Sequence, residues 1–336
     1  MIKYFRHKLN PSWYQGRKNK SQHFEGWYFK IIDKNENHLF AIIPGIFINK
    51  NDTDNHSFVQ IIDRMNNEAH YFKFPVQDFY AKADTFDVQI DTNHFSANKI
   101  VLAVKNSSFA LDGELDLKNL TPWPRTLLSP GIMGWYTWVP FMECYHGIVS
   151  LDHEIHGFLT INGRKVDLTG GRGYTEKDWG KSFPMAWIWC QSNHFNSAGI
   201  SFTGSIAIIP WIHNSFLGFI CGLWYKNQLY RFTTYTGAKL IHLEIDEHKV
   251  YWIIKQNKYV IEITANRSTG NFIQAPTVKG MTHRISEALK STIEIKLSSH
   301  AKNGQEIIFH DTGRHAGLEI AGDLSRLIGM YKTLKK

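Results

Sequence analysis

Short runs of alternating apolar and polar residues fill most of the chain. "FLTINGRKVDL" (158–168) holds two such runs joined by Asn162-Gly163. That dipeptide suits a type I′ hairpin, because both central residues must adopt positive φ. "IEIKLSSHAKNGQEIIFH" (293–310) repeats the device around Asn303-Gly304. "HLEIDEHKVYWIIKQNKYVIEITANR" (242–267) alternates through three runs, and "NKIVLAVKNSSFALDGELDL" (98–117) through two. Helical periodicity is scarce. It is persuasive only in "HRISEALKS" (283–291) and in "DLSRLIGMYKTL" (323–334), where Asp323 is placed to cap. Many short strands joined by polar turns predict an all-β protein of sandwiches or barrels.

An internal echo predicts two of them. "AIIP" occurs at 41–44 and 207–210. Each copy follows an aromatic strand, "EGWYFKI" or "MAWIWCQ", and precedes a Ser-Phe strand, "SFVQIID" or "SFLGFIC". That shared order reads as a duplication. The Gly-rich "LTGGRGY" sets the expected boundary, giving domains 1–169 and 170–336, the second ending in a helix. Residues 120–147 carry four prolines and three tryptophans and cannot form a long strand or helix. They read equally as an ordered connector or as a rigid aromatic lid.

Length and composition add limits. A chain of 336 residues with 43% apolar content supports two packed interiors, and 14% aromatic residues is high enough to suggest aromatic-lined space. The formal charge is +8, much of it near the ends ("KYFRHKLN", "GRKNK", "YKTLKK"). Solvated tails are the plain reading of these ends. A weak hold on an anionic membrane surface is the sharper one. No nucleic-acid-binding module, dinucleotide fingerprint, P-loop or nucleophile elbow occurs. Three cysteines without a CxxC pair point to ordinary buried thiols in a reducing compartment. The N-terminus lacks an apolar signal core, and no apolar run is long enough to span a bilayer. A cytoplasmic protein, with at most peripheral membrane contact, is expected.

The densest chemistry is "GYTEKDWG" (173–180). In an extended chain Tyr174, Glu176 and Asp178 share one face, and Thr175, Lys177 and Trp179 the other. Two neighbouring carboxyl groups allow one to stay protonated. A neutral acid among aromatic rings can protonate an alkene, and the rings shelter the cation. Lys177 must then point away, while Arg172, a tryptophan N–H or backbone donors hold the charge of Asp178. The alternative is a structural knot, with Asp178 capping a turn and Trp179 packing. His153 and His156, with His146 nearby, read as surface or capping residues, because i and i+3 on a strand diverge; no metal site is expected. His23 and Glu25 either line the first barrel or tie down the N-terminus.

These motifs resemble the tocopherol cyclase family, which is related to the carotenoid 1,2-hydratases. The resemblance runs from "FEGWYFKI" (24–31) through "MECYHG" (142–147), "GYTEKDWGKSFP" (173–184) and "WIWCQSNHF" (187–195) to "HAGLEIAG" (315–322). It implies two lipocalin-like β-barrels and proton-initiated addition across an isoprenoid double bond. In such a cyclase a prenylated quinol closes on the cation; in a hydratase water attacks instead. No cofactor is implied. The hydratases' tyrosine, and the acidic residue two positions on, fall on Tyr174 and Glu176. The expected catalytic residues are therefore Glu176, Asp178 and Tyr174. The expected substrate-binding residues are Glu25, Trp27, Trp135, Trp179, Trp187 and Trp189. The rival expectation is a lipid- or isoprenoid-binding protein of lipocalin type without turnover.

Overall fold

The computed structural model describes residues 2–16, 22–49, 54–64, 66–268, 270–277, 280–301 and 304–334. It divides into two compact units, residues 1–183 with 274–283 and residues 184–273 with 284–336. Both are built from curled antiparallel sheets of lipocalin-like type.

The first sheet contains β1 (His23–Ile32), β2 (Leu39–Ile48), β3 (His56–Asp63), β4 (Glu68–Phe74), β5 (Phe79–Ala81) and β6 (Asp87–Ile90). It continues with β7 (Asn93–Ser96), β8 (Lys99–Lys105), β9 (Ala110–Lys118), β10 (Cys144–Ile161), β11 (Arg164–Asp167) and β12 (Gly171–Gly180). Its order is β4-β3-β2-β1-β12-β10-β9-β8-β7-β6-β5, with β11 on β10. The sheet curls far enough for Phe72 on β4 to meet Phe109 beside β9, at 6.3 Å between ring centroids. Alternate residues such as Trp27, Phe29 and Ile31, with Leu111, Leu115 and Ile155, fill the interior. Trp27 stacks on Phe86 at 5.4 Å.

The second sheet contains β13 (Ala186–Ser192), β14 (Ser201–Trp211), β15 (Asn214–Tyr225), β16 (Gln228–Thr233) and β17 (Lys239–Ile245). It is completed by β18 (Lys249–Gln256), β19 (Tyr259–Asn266), β20 (Asn271–Thr277), β21 (Gly280–Ala301) and β22 (Gly304–Gly322). The order β16-β15-β14-β13-β22-β21-β19-β18-β17 repeats the plan of the first. In each, a four-stranded meander joins the rest through its first strand, which pairs with the last long strand of the unit. Ile188, Cys190, Ile206, Phe219, Trp252 and Leu318 belong to the second interior.

Several expectations need correction. The division between units follows Phe183 rather than residue 169, because β12 is sandwiched between β1 and β10. The Gly-rich stretch is the turn into that strand, with Gly170 at φ +82. Residues 283–291 are strand within β21, not helix. A short N-terminal helix, α1 (Ile2–Lys8), was not foreseen. Nor are all basic residues near the N-terminus solvated. The Lys8 ammonium lies 4.4 Å from the Tyr145 ring centroid, and burial lowers its pKa to about 8. The Asn162-Gly163 hairpin forms with φ +49 and +83, and Asp323 Oδ1 accepts the Arg326 N–H at the start of α2 (Leu324–Leu334). Asn303 lies outside the described residues.

The repeats align strand for strand but not motif for motif. With the two "AIIP" stretches superposed, Ala41 faces Lys30 and Ala207 faces Trp187. Trp187 is thus equivalent to Lys30, not to Trp27. Trp27 points into its barrel, whereas Trp187 points away from its own.

Candidate active site

β12 pairs along its length with β1 and β10, so its backbone is extended and its side chains alternate strictly. Gly173, Thr175, Lys177 and Trp179 face the interior, opposite Ile31, Phe29, Trp27 and Glu25 of β1. Tyr174, Glu176 and Asp178 take the other face, opposite Lys30, Tyr28 and Gly26. His146 of β10 stands beside Asp178, and Ile148 beside Glu176.

On that second face four side chains converge. The Tyr174 hydroxyl donates to Glu176 Oε2. His146 Nδ1 lies 2.9 Å from Asp178 Oδ1, and His146 Nε2 lies 3.6 Å from Glu176 Oε2. Tyr174 is fully buried and Glu176 is 4% exposed; the Asp178 side chain retains 25% exposure. Buried Lys30 stands opposite Tyr174. A phenol, two carboxyl groups and an imidazole in this order can hold a proton, pass it and take it back. Ligand atoms of His146, Glu176 and Asp178 lie within 4.8 Å of one another, close enough for a cation to be shared.

His146 and Lys30 escaped the sequence reading. His146 had been placed among surface histidines, and it is 32 residues from Asp178 in the chain. Only the β10–β12 register brings them together. Arg172, expected to serve Asp178, forms a two-point ion pair with Asp152 instead. His153 is also no surface residue. It packs over Gly173, fully buried, with neither ring nitrogen hydrogen-bonded. Burial, helped by the charge of Arg172, lowers its pKa to about 3. His156 does sit near the surface, 3.7 Å from Glu154.

Glu25, Trp27 and Trp179 belong to the opposite face and do not meet the carboxyl cluster. Glu25 is ion-paired with fully buried Lys177 and lies 3.0 Å from His23 Nε2. Burial would raise the Glu25 pKa, but the Lys177 and His23 charges outweigh it and hold it below the ordinary range. Both Glu25 oxygens accept the Gln15 N–H, Lys177 donates to Pro11 O at 2.9 Å, and Trp27 Nε1 donates to Ser12 O. Of the two readings of Glu25, the one realised is the tie to the N-terminal segment. Trp179 stacks on Tyr145 at 5.4 Å. Trp135, on a single 3-10 turn, is 44% exposed and leans on Tyr136. Trp187 and Trp189 point together, as expected, but they stand on β13 of the second unit.

Two lipocalin-like β-barrels, one carrying a buried phenol–carboxyl–imidazole cluster on its central strand, define the class. Residues 105–322 match the model of the tocopherol cyclase-like family, and the chain belongs to that family. It is similar to the chloroplastic tocopherol cyclase of Zea mays, 26% identical over 200 residues, covering 56% of this chain and 41% of that protein. Similarity to the probable chloroplastic tocopherol cyclase of Oryza sativa subsp. japonica is 24% over 198 residues, covering 56% and 42%. The matched part thus spans about two fifths of the length of those relatives. Among solved structures, that of CghA with Sch210972 superposes with a TM-score of 0.55 at 8% identity, covering 90% of this chain and 89% of CghA; the likeness is one of fold. Among the described residues no helix is long and apolar enough to cross a membrane.

Proposed function

We propose that this protein catalyses acid-initiated cyclisation, or hydration, of a prenylated quinol or related isoprenoid. The observation that carries the reading is the buried Glu176, held by Tyr174 and set 3.6 Å from an imidazole that is itself anchored on Asp178. Glu176 is the proton donor. Glu176 is 4% exposed, and burial disfavours its charged form, which favours the neutral acid that donation needs. Glu176 transfers its proton to one alkene carbon, leaving a cation on the other. A hydroxyl oxygen, from the quinol or from water, bonds to that carbon and gives up its proton. The Glu176 carboxylate recovers a proton directly or through His146. No electrons are exchanged with a cofactor, and the acid ends as it began.

Tyr174 orients the acid and Asp178 fixes the imidazole. Binding an isoprenoid does not require the Glu176 carboxyl group beside Tyr174 and His146, which supports turnover over simple binding. The test is incubation with a prenylated hydroquinone and analysis of products. The wild-type chain should form a chromanol or a hydrated product. Glu176→Gln should fold and bind but form product about 10²–10⁴-fold more slowly. Undiminished activity in that variant would leave the cluster as a structural tie.

A further inference from the structure

Two leucines of the first unit stand at the tip of a tight turn. The Thr126 N–H donates to Ser129 O at 2.9 Å, and the Ser129 N–H to Thr126 O at 3.1 Å. Leu127 and Leu128 are the two residues between, and they are 63% and 81% exposed. Turn tips favour Gly, Pro, Asn, Asp and Ser, each for a backbone reason. Leucine has no such reason, and in water it forgoes the gain of burial.

The surroundings extend this tip into an apolar surface. Trp138 Nε1 donates to Leu127 O at 3.2 Å, and the Trp138 ring meets exposed Phe5 of α1 at 5.4 Å. Exposed Trp135 precedes Trp138 by three residues on one 3-10 turn (Gly134–Trp138), a spacing that sets both on one side. Phe141, also exposed, follows three residues later. Exposed apolar groups gathered in this way mark a contact surface. The rim carries one sign of charge. Arg6 and Arg125 are exposed, and Arg125 donates to Leu9 O at 3.1 Å, which ties the turn to the end of α1. Residues 1–22 and 120–142 contain no Asp or Glu.

These features match the layers of a lipid surface. Acyl chains take projecting leucines, the interfacial layer takes indole rings, and anionic headgroups pair with arginine. A projecting tip inserts; it is not a groove for a peptide to fill. Pro124 and Pro130 bracket the turn and restrict its backbone, so little freedom is lost on insertion. We propose that the Leu127-Leu128 turn, with Phe5, Trp135, Trp138 and Phe141 around it, docks the first unit on an anionic bilayer surface. Such docking goes beyond the proposed reaction and holds whether or not the cluster on β12 is catalytic.

The test is cosedimentation of the full chain with phosphatidylcholine vesicles, with and without about three parts in ten of phosphatidylglycerol. Wild type should bind the anionic vesicles, lose affinity as salt rises, and bind phosphatidylcholine alone about tenfold more weakly. Leu127→Ser/Leu128→Ser should lower binding to anionic vesicles by about tenfold or more. Its unfolding temperature should stay within about 2 °C of wild type, because neither side chain is buried. Trp135→Gln carries the same decision on a separate turn and should lower binding about threefold or more. Phe158, at the opposite end of β10, is an exposed aromatic with the Lys165 ammonium 3.7 Å from its ring centroid. Phe158→Ser should therefore bind as wild type does. A wild-type chain that ignores both vesicles, or a double variant that binds as well as wild type, overturns the proposal. Equal loss in Phe158→Ser makes the adhesion unspecific and overturns it as well. A wild-type dimer without vesicles that the double variant abolishes assigns the patch to a second copy of the chain, which also overturns it.

Discussion

The two units follow one path and diverge at one strand. In each, the first strand of a meander pairs with the last long strand of the unit. Lys30 faces Tyr174 on β12, and its equivalent Trp187 faces Ala321 on β22. By the same register Glu176 corresponds to Asp323. β12 runs on to Gly180, so Tyr174, Glu176 and Asp178 all project from one extended face. β22 stops at Gly322, where φ is +83, and Asp323 caps α2. One position thus holds the buried Glu176 carboxyl in the first unit and a helix cap in the second. The interiors differ too. The first buries the Lys177–Glu25 ion pair beneath the N-terminal segment, while ion pairs of the second, such as Lys296–Glu262, are partly exposed. A shared fold sets where strands lie; how far the last strand continues decides which copy carries the acid.

The largest effect that could break this comparison is catalytic. Glu176→Gln should lower kcat/KM by about 10²–10⁴-fold, the usual worth of a positioned acid. Glu319→Gln, in the other unit, should cost less than about tenfold because Glu319 moves no proton in this scheme. Equal losses would erase the asymmetry.

Next comes the buried ion pair. Lys177→Met strands the Glu25 charge and should cost about 3–5 kcal/mol in denaturant titration. Adding Glu25→Leu should restore most of that, since the pair and an apolar substitute are often of similar stability. If the double variant is as unstable as the single, the pair does more than hold the N-terminal segment.

His153 gives a pH effect confined to the first unit. Its pKa is about 3 folded, against ~6.5 unfolded. Between these values the unfolded chain binds the extra proton. Stability present above about pH 6.5 is therefore lost as pH falls toward 3, by about 2 kcal/mol at pH 5. His153→Phe should flatten this slope. An unaltered slope in the variant would place the acid sensitivity elsewhere.

The smallest effect sharpens the other side. Asp323→Ala should cost about 1 kcal/mol of stability through the lost cap and leave kcat untouched. A drop in turnover would mean that this position serves chemistry in both units.

Much of this was legible in the residues. Alternation located the strands, Asn162-Gly163 its hairpin and Asp323 its helix, because these signals are local. The shared face of Tyr174, Glu176 and Asp178 follows from alternation alone. What stayed hidden depends on pairing. His146 reaches Asp178 only through the β10–β12 register. "HRISEALKS" has strong helix formers, yet β21 pairs with β22, as Ala288 does with Leu318, and cross-strand pairing overrides propensity. Trp27 and Trp187 looked like copies because each lies in an aromatic strand before "AIIP". By register Trp187 takes the place of Lys30, three residues along the strand from Trp27, so the two tryptophans face opposite ways.

The central claim is that the reaction begins with a proton delivered to carbon. Turnover of a prenylated hydroquinone in D₂O, with mass and NMR analysis of the product, tests it most directly. The account predicts one deuterium per turnover, placed on a single face of the carbon next to the new C–O bond, with incorporation about 10²–10⁴-fold slower in Glu176→Gln. Product formed without carbon-bound deuterium would contradict it.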